Sequence, residues 1–112
     1  MTDKAKDVSQ ELEAIREVYK KNLPEKISRF EKLLQKIAEE PDNNEIVGEL
    51  LTAVHKFHGS AGSYGFDNIS KIAGEWEQML QTIHADETTL EESQIGKMRD
   101  YLRDIKKAGG KP

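Results

Sequence analysis

The chain has 112 residues, a formal net charge of -4, 34% charged and 36% hydrophobic residues, and no cysteine. The length fits one domain with a single modest core, here residues 1–112, and the composition is that of a soluble globular protein. The acidic balance, with lysines scattered among acids, argues against a nucleic-acid binder, and the missing cysteines exclude disulfides, thiolate zinc sites and a cysteine nucleophile.

Met1-Thr2-Asp3-Lys4 leads into a charged stretch and not into an apolar leader. No apolar run approaches the roughly 20 residues that span a membrane. A cytoplasmic location with no membrane association is expected. Leu, Ile, Glu, Lys and Gln dominate, which favours helix, and no strand-like alternation occurs.

The spacing predicts a first helix from about Val8 to Lys21, with Leu12, Ile15 and Tyr19 on one side. Asn22-Leu23-Pro24-Glu25 reads as a break, because Pro suits a first helical turn. A second helix carries Ile27, Phe30, Leu34 and Ile37 and stops near Pro41. Asp42 and Glu45 form a capping box for a third helix. That helix sets Ile46, Leu50, Val54, Phe57, Ala61 and Tyr64 on one stripe, and Gly65 is placed to end it. Asp67 caps a fourth helix bearing Ile69, Ile72, Ala73, Trp76, Leu80 and Ile83. Thr89 and Glu92 mark a fifth, with Ile95, Met98, Leu102 and Ile105. The ends, about 1–7 and 108–112, are expected to fray. The expected fold is all-α: an antiparallel up-down four-helix bundle, with an extra short N-terminal helix packed across or against one end.

The third helix carries the most informative run, Ala53-Val54-His55-Lys56-Phe57-His58-Gly59-Ser60-Ala61-Gly62-Ser63-Tyr64-Gly65-Phe66. At about 100° per residue, His55 points roughly 130° from the apolar stripe. Gly48, Thr52, Gly59 and Gly62 cluster around it, with Lys56 beside it, and His58 sits at the border with the core. A mid-helix Gly costs roughly 0.5–1 kcal/mol relative to Ala, and a solvated helix face gains nothing from it. Close approach of another protein to the imidazole is the favoured explanation of the cluster; close packing against a neighbouring helix is the alternative, weakened because Gly59 and Gly62 lie away from the apolar stripe. Trp76 and Tyr64 fall on core stripes, so packing accounts for them.

His-x-x-His-Gly-Ser-Ala-Gly-Ser-Tyr-Gly, starting at His55, resembles the signature of histidine-containing phosphotransfer (Hpt) domains. The family pattern is His-x-x-Lys-Gly-small-small, with a further Gly about ten residues after the His. Gly59, Ser60, Ala61 and Gly65 fall on those positions. Ile69-x-x-Ile72-Ala73 with Glu75 and Glu77 resembles the family's next helix, and the likeness covers nearly the whole chain. One departure is His58, where the family usually has Lys. A protonated His58 offsets phosphoryl charge as that Lys does, and a neutral one does so less well.

The resemblance implies a phosphoryl carrier, with His55 as phosphoacceptor and His58, Gly59 and Glu77 in support, and the helical wheel puts Gly48, Thr52, Lys56 and Gly62 on the docking surface around it. It gives Glu77 the role of holding the imidazole's proximal nitrogen; an ordinary exposed helix Glu is the alternative. The implied partners are response-regulator receiver domains and a sensor or hybrid histidine kinase, and the protein itself is expected to be a monomer. No glycine-rich phosphate loop occurs, so no kinase activity, cofactor or metal of its own is expected; Mg²⁺ would sit on the receiver. The rival readings are a non-phosphorylated helical adaptor that only docks receivers, against which His55 itself argues, and a metal-binding bundle. The second lacks its motif: three residues before His55, His58 and His84 stand Thr52, His55 and Gln81, not Glu.

Overall fold

A computed structural model describes residues 2–109, with side chains from Gln10 onward. It contains four helices: α1 (Thr2–Glu39), α2 (Asn44–Ser63), α3 (Asp67–Asp86) and α4 (Glu92–Gly109). Short connections at 40–43, 64–66 and 87–91 reverse the chain each time. α1 touches α2 and α4, and α3 touches α2 and α4, with the α2–α3 contact the most extensive. The elements thus form a four-cornered bundle. Met1 and 110–112, parts of the ends expected to fray, lie outside the described residues.

The separate N-terminal helix is absent. α1 runs unbroken through Pro24 for 38 residues. Local preference alone predicts a break at Asn22–Glu25. Pro inside a helix costs about 3 kcal/mol, through the hydrogen bond it cannot donate and the clash of its ring. Tyr19, Leu23, Ile27, Phe30, Leu34 and Ile37 keep helical spacing across that point, and all but the partly buried Ile27 are core residues. Each such side chain contributes roughly 1.5–3 kcal/mol on burial, so the stripe on both sides outweighs the proline. Pro24 itself faces solvent.

At 1.5 Å per residue α1 is about 57 Å long, and the molecule's longest extent is 58 Å. The other helices have 20, 20 and 18 residues. The part of α1 before Arg16 therefore projects past them instead of packing across the bundle, and Arg16 and Tyr19 are the helix's first contacts with the α2–α3 turn. Leu12, Ile15 and Val18 are exposed, and burial begins at Tyr19.

Three helix starts differ from expectation in the residue that caps them. Asn43, not Asp42, caps α2: its side chain accepts from the N–H groups of Glu45 and Ile46. Asp67 is the first residue inside α3, where its charge faces the positive helix end. α4 is opened not by Thr89 but by a box one turn long, in which the Glu91 N–H donates to Gln94 Oε1. Gly65 does end α2, at φ +83°. Its N–H donates to the Gly62 carbonyl and that of Phe66 to the Ala61 carbonyl, the paired closure that a left-handed glycine permits. This closure turns the chain straight into α3 and sets the register of the pair that carries the site.

The core contains Phe30, Leu50, Val54, Phe57, Ile69, Trp76, Leu80, Met98 and Ile105. Phe30 meets Phe57 and Trp76 edge-on, at centroid distances of 5.2 and 5.5 Å. On α2 the buried stripe holds Val47, with Ile46 and Tyr64 only partly covered.

Candidate functional site

α2 and α3 approach closely because small residues line their contact. Ala61 and Ala73 are fully buried. A Cβ on Gly62 would stand 3.0 Å from Ser70 Oγ, and one on Gly74 would stand 3.1 Å from His58 Nε2. Ser70 Oγ in turn donates to the His58 carbonyl, tying the two helices beside the histidines.

Across this seam one carboxylate serves two imidazoles. His55 Nδ1 lies 3.1 Å from Glu77 Oε2, and His58 Nδ1 lies 3.1 Å from Glu77 Oε1. Gln81, one turn along α3, donates its amide to Oε2 at 3.3 Å. The side chain of Glu77 is 11% exposed, against 71% for His55 and 42% for His58. The acid is thus the buried anchor, and His55 is the ring offered to solvent.

Burial pushes the Glu77 carboxyl upward, but the hydrogen bonds from His55 and His58, and the charge those rings can carry, hold it below the ordinary glutamate value. The carboxylate is therefore ionised at neutral pH and can only accept. Both Nδ1 atoms must donate to it. A neutral His55 then carries its proton on Nδ1 and keeps a free lone pair on Nε2, at the far side of the ring.

The residues expected around His55 fall into two groups. Gly59 has nothing within 4 Å of an added Cβ, so one turn after His55 the helix face is open. Thr52 and Lys56 are exposed, and the Thr52 hydroxyl donates to the Gly48 carbonyl. Gly48 and Gly62, in contrast, have packing reasons. A Cβ on Gly48 would stand 2.9 Å from His84 Nε2, so Gly48 seats that ring, as Gly62 accommodates Ser70. Lys56 also borders a shallow groove of about 310 Å³ between α1 and α2, with Lys26 and Arg29 on its rim and Phe30, Ala53, Phe57 and Ser60 along it.

Sequence reasoning missed Gln81, Gly74 and Arg16. Gln81 was findable, since residues four apart on a helix meet. Gly74 needs the α2–α3 register. Arg16 donates from Nε to the Tyr64 carbonyl at 2.7 Å, linking α1 to the α2–α3 turn. Among the described residues no three His, Cys, Asp or Glu side chains are grouped to hold a metal ion, and no helix is long and apolar enough to cross a membrane.

No curated protein matches the sequence. The family model of the Hpt domain matches residues 6–108. That match encloses the His55–Glu77–His58 cluster and runs over all four helices, and the chain accordingly belongs to the Hpt domain family, helical bundles that carry phosphoryl groups on histidine in two-component signalling.

Proposed function

We propose that His55 is the phosphoacceptor of a phosphorelay, loaded by a receiver-domain aspartate or a histidine kinase and discharged to a response-regulator receiver. The observation that carries this reading is the bond from His55 Nδ1 to the buried, ionised Glu77. It leaves the exposed ring with its lone pair on Nε2, next to the open face at Gly59.

The transfer balances without a base. The Nε2 lone pair attacks phosphorus, the bond from phosphorus to the aspartyl oxygen breaks, and its electron pair stays on the aspartate. No proton leaves, because Nδ1–H is already bound to Glu77. The phosphorylated ring gains a positive charge, and the adjacent carboxylate opposes it. Phosphoryl transfer asks a protein mainly for position and charge compensation, and Glu77 supplies both. The reverse sequence passes the group on.

On this reading the protein is a carrier and not a kinase, and it uses no cofactor or metal of its own. Mg²⁺ belongs to the receiver. Gly59, Thr52 and Lys56 border the docking surface, whereas Gly48 and Gly62 serve the packing of α2 on α3. The chain acts as a single monomeric domain in the cytoplasm. The test is incubation with a phosphorylated receiver, followed by intact mass and acid-lability of the label. Wild-type protein gains one phosphoryl group and His55→Gln gains none. Full labelling of His55→Gln refutes the assignment, and receiver binding without any labelling of wild type identifies an adaptor.

A further inference from the structure

We propose that His58 is a positioning residue for the transfer: by holding Glu77 at Oε1, it keeps Oε2 on His55 and so fixes the His55 tautomer. The meaning for transfer rests on His55 as phosphoacceptor; the coupling between the two rings does not.

The Glu77 carboxylate is loaded unequally. Oε2 accepts from both His55 and Gln81, while among the described residues Oε1 accepts from His58 alone. Gln81 belongs to α3 and is exposed, so it adds no second helix to the hold. His58 is the partner that fixes the plane of the carboxylate from across the seam. It is itself fixed at two points: its ring lies against Gly74, and its carbonyl accepts from Ser70. The His58 ring is the less exposed of the two imidazoles, with Nδ1 on Glu77 and its Nε2 edge beside Gly74. Its route to His55 is through the carboxylate.

Removing the His58 donor leaves Oε1 buried without a partner, and an unsatisfied buried acceptor costs more than the hydrogen bond it replaces. The carboxylate relieves this by turning Oε1 toward water, and Oε2 then leaves Nδ1 of His55. A ring freed in this way can carry its proton on either nitrogen. The fraction with a bare Nε2 falls, and the transfer rate falls with it.

The experiment uses the unphosphorylated, ¹⁵N-labelled full chain, with long-range ¹H–¹⁵N spectra recorded where the imidazoles are neutral. In wild type His55 reads as the Nδ1–H form. His58→Phe keeps an aromatic ring against Gly74 without a donor. In it the two His55 nitrogen signals converge, and transfer from a phosphorylated receiver slows about fivefold, the equivalent of one hydrogen bond of ordinary strength. His58→Asn carries an amide nitrogen where Nδ1 stood, and it restores both readouts. Unchanged His55 nitrogens in His58→Phe overturn the proposal, as does a His58→Asn protein equal to His58→Phe. Failure of wild-type His55 to take phosphate refutes the function proposed above, whereas unchanged nitrogens refute only the coupling.

Discussion

Two histidine–glycine contacts join α2 to α3, one in each direction. His58 of α2 lies against Gly74 of α3, and His84 of α3 lies against Gly48 of α2. In packing they are alike, since each glycine makes room for an imidazole that a side chain would displace. They differ in what the other ring nitrogen meets. His58 donates to the buried Glu77, which also holds His55. The His84 ring makes no hydrogen bond to the described residues, and only its carbonyl is engaged, by Asn44. A ring on a glycine is thus a way to bring two helices together. A buried carboxylate shared between two rings is what marks one such contact as the candidate site.

Substitutions in α2 separate packing from chemistry. The largest effect is expected at Gly59, where no atom of the described residues lies within 4 Å of an added Cβ. Gly59→Leu should keep its helicity, since Gly is a poor helix former, yet slow transfer about tenfold or more, because the leucine stands between His55 and the partner's aspartate. A tenfold loss corresponds to about 1.4 kcal/mol of barrier. Stopped-flow transfer kinetics, with circular dichroism as control, check it.

The same change at Gly48 should act in the opposite sense. The first added carbon would meet His84 Nε2 at 2.9 Å, so the ring must move. The atom met is the far end of a partly exposed side chain, so the cost lies at the low end of overpacking, about 1 kcal/mol. Gly48→Leu is expected to lower the melting temperature while transfer at a permissive temperature stays near wild type. Gly59→Ala, with no neighbour to displace, should raise stability by about 0.5–1 kcal/mol. Equal destabilisation at the two glycines would erase the distinction drawn between them.

A smaller effect follows from Glu77. Its carboxyl is held below the ordinary glutamate value in the folded protein. Such a group contributes stability that is fully present above its unfolded-state value and is lost as pH falls through the folded one. The stability advantage of wild type over Glu77→Gln should therefore be constant toward neutral pH and close on acidification. Urea melts at a series of pH values measure this, and a gap that widens in acid contradicts the sign.

Much of this was legible in the sequence, for identifiable reasons. The helical period of Leu50, Val54, Phe57 and Ala61 gave the core face of α2, and His55 lay off it as expected. Gly65 was readable as a helix end because only the left-handed region closes a turn in that way. Pro24 misled because its local cost is fixed while the burial of Leu23 and Phe30 around it depends on the rest of the fold. The caps shifted by one or two residues where several capable side chains adjoin, as at Asp42-Asn43. The role of Gly48 was hidden for another reason: a helical wheel gives direction but not the neighbour, and only the α2–α3 register reveals that His84 fills the space. The pairing of His55 with Glu77 came from the family resemblance. The sharing of Glu77 with His58 had no sequence signal, since it needs two helices at a fixed offset.

On the function proposed above, Glu77 holds one nitrogen of His55 and thereby leaves the other to carry the phosphoryl group. The most direct test is ³¹P and ¹⁵N spectroscopy of the phosphorylated, ¹⁵N-labelled protein, with coupling from phosphorus to the ring nitrogen it is bonded to. A single phosphoryl group is expected on Nε2 of His55, with Nδ1 still protonated toward Glu77. Phosphorus on Nδ1 of His55, or on His58 or His84, would contradict it.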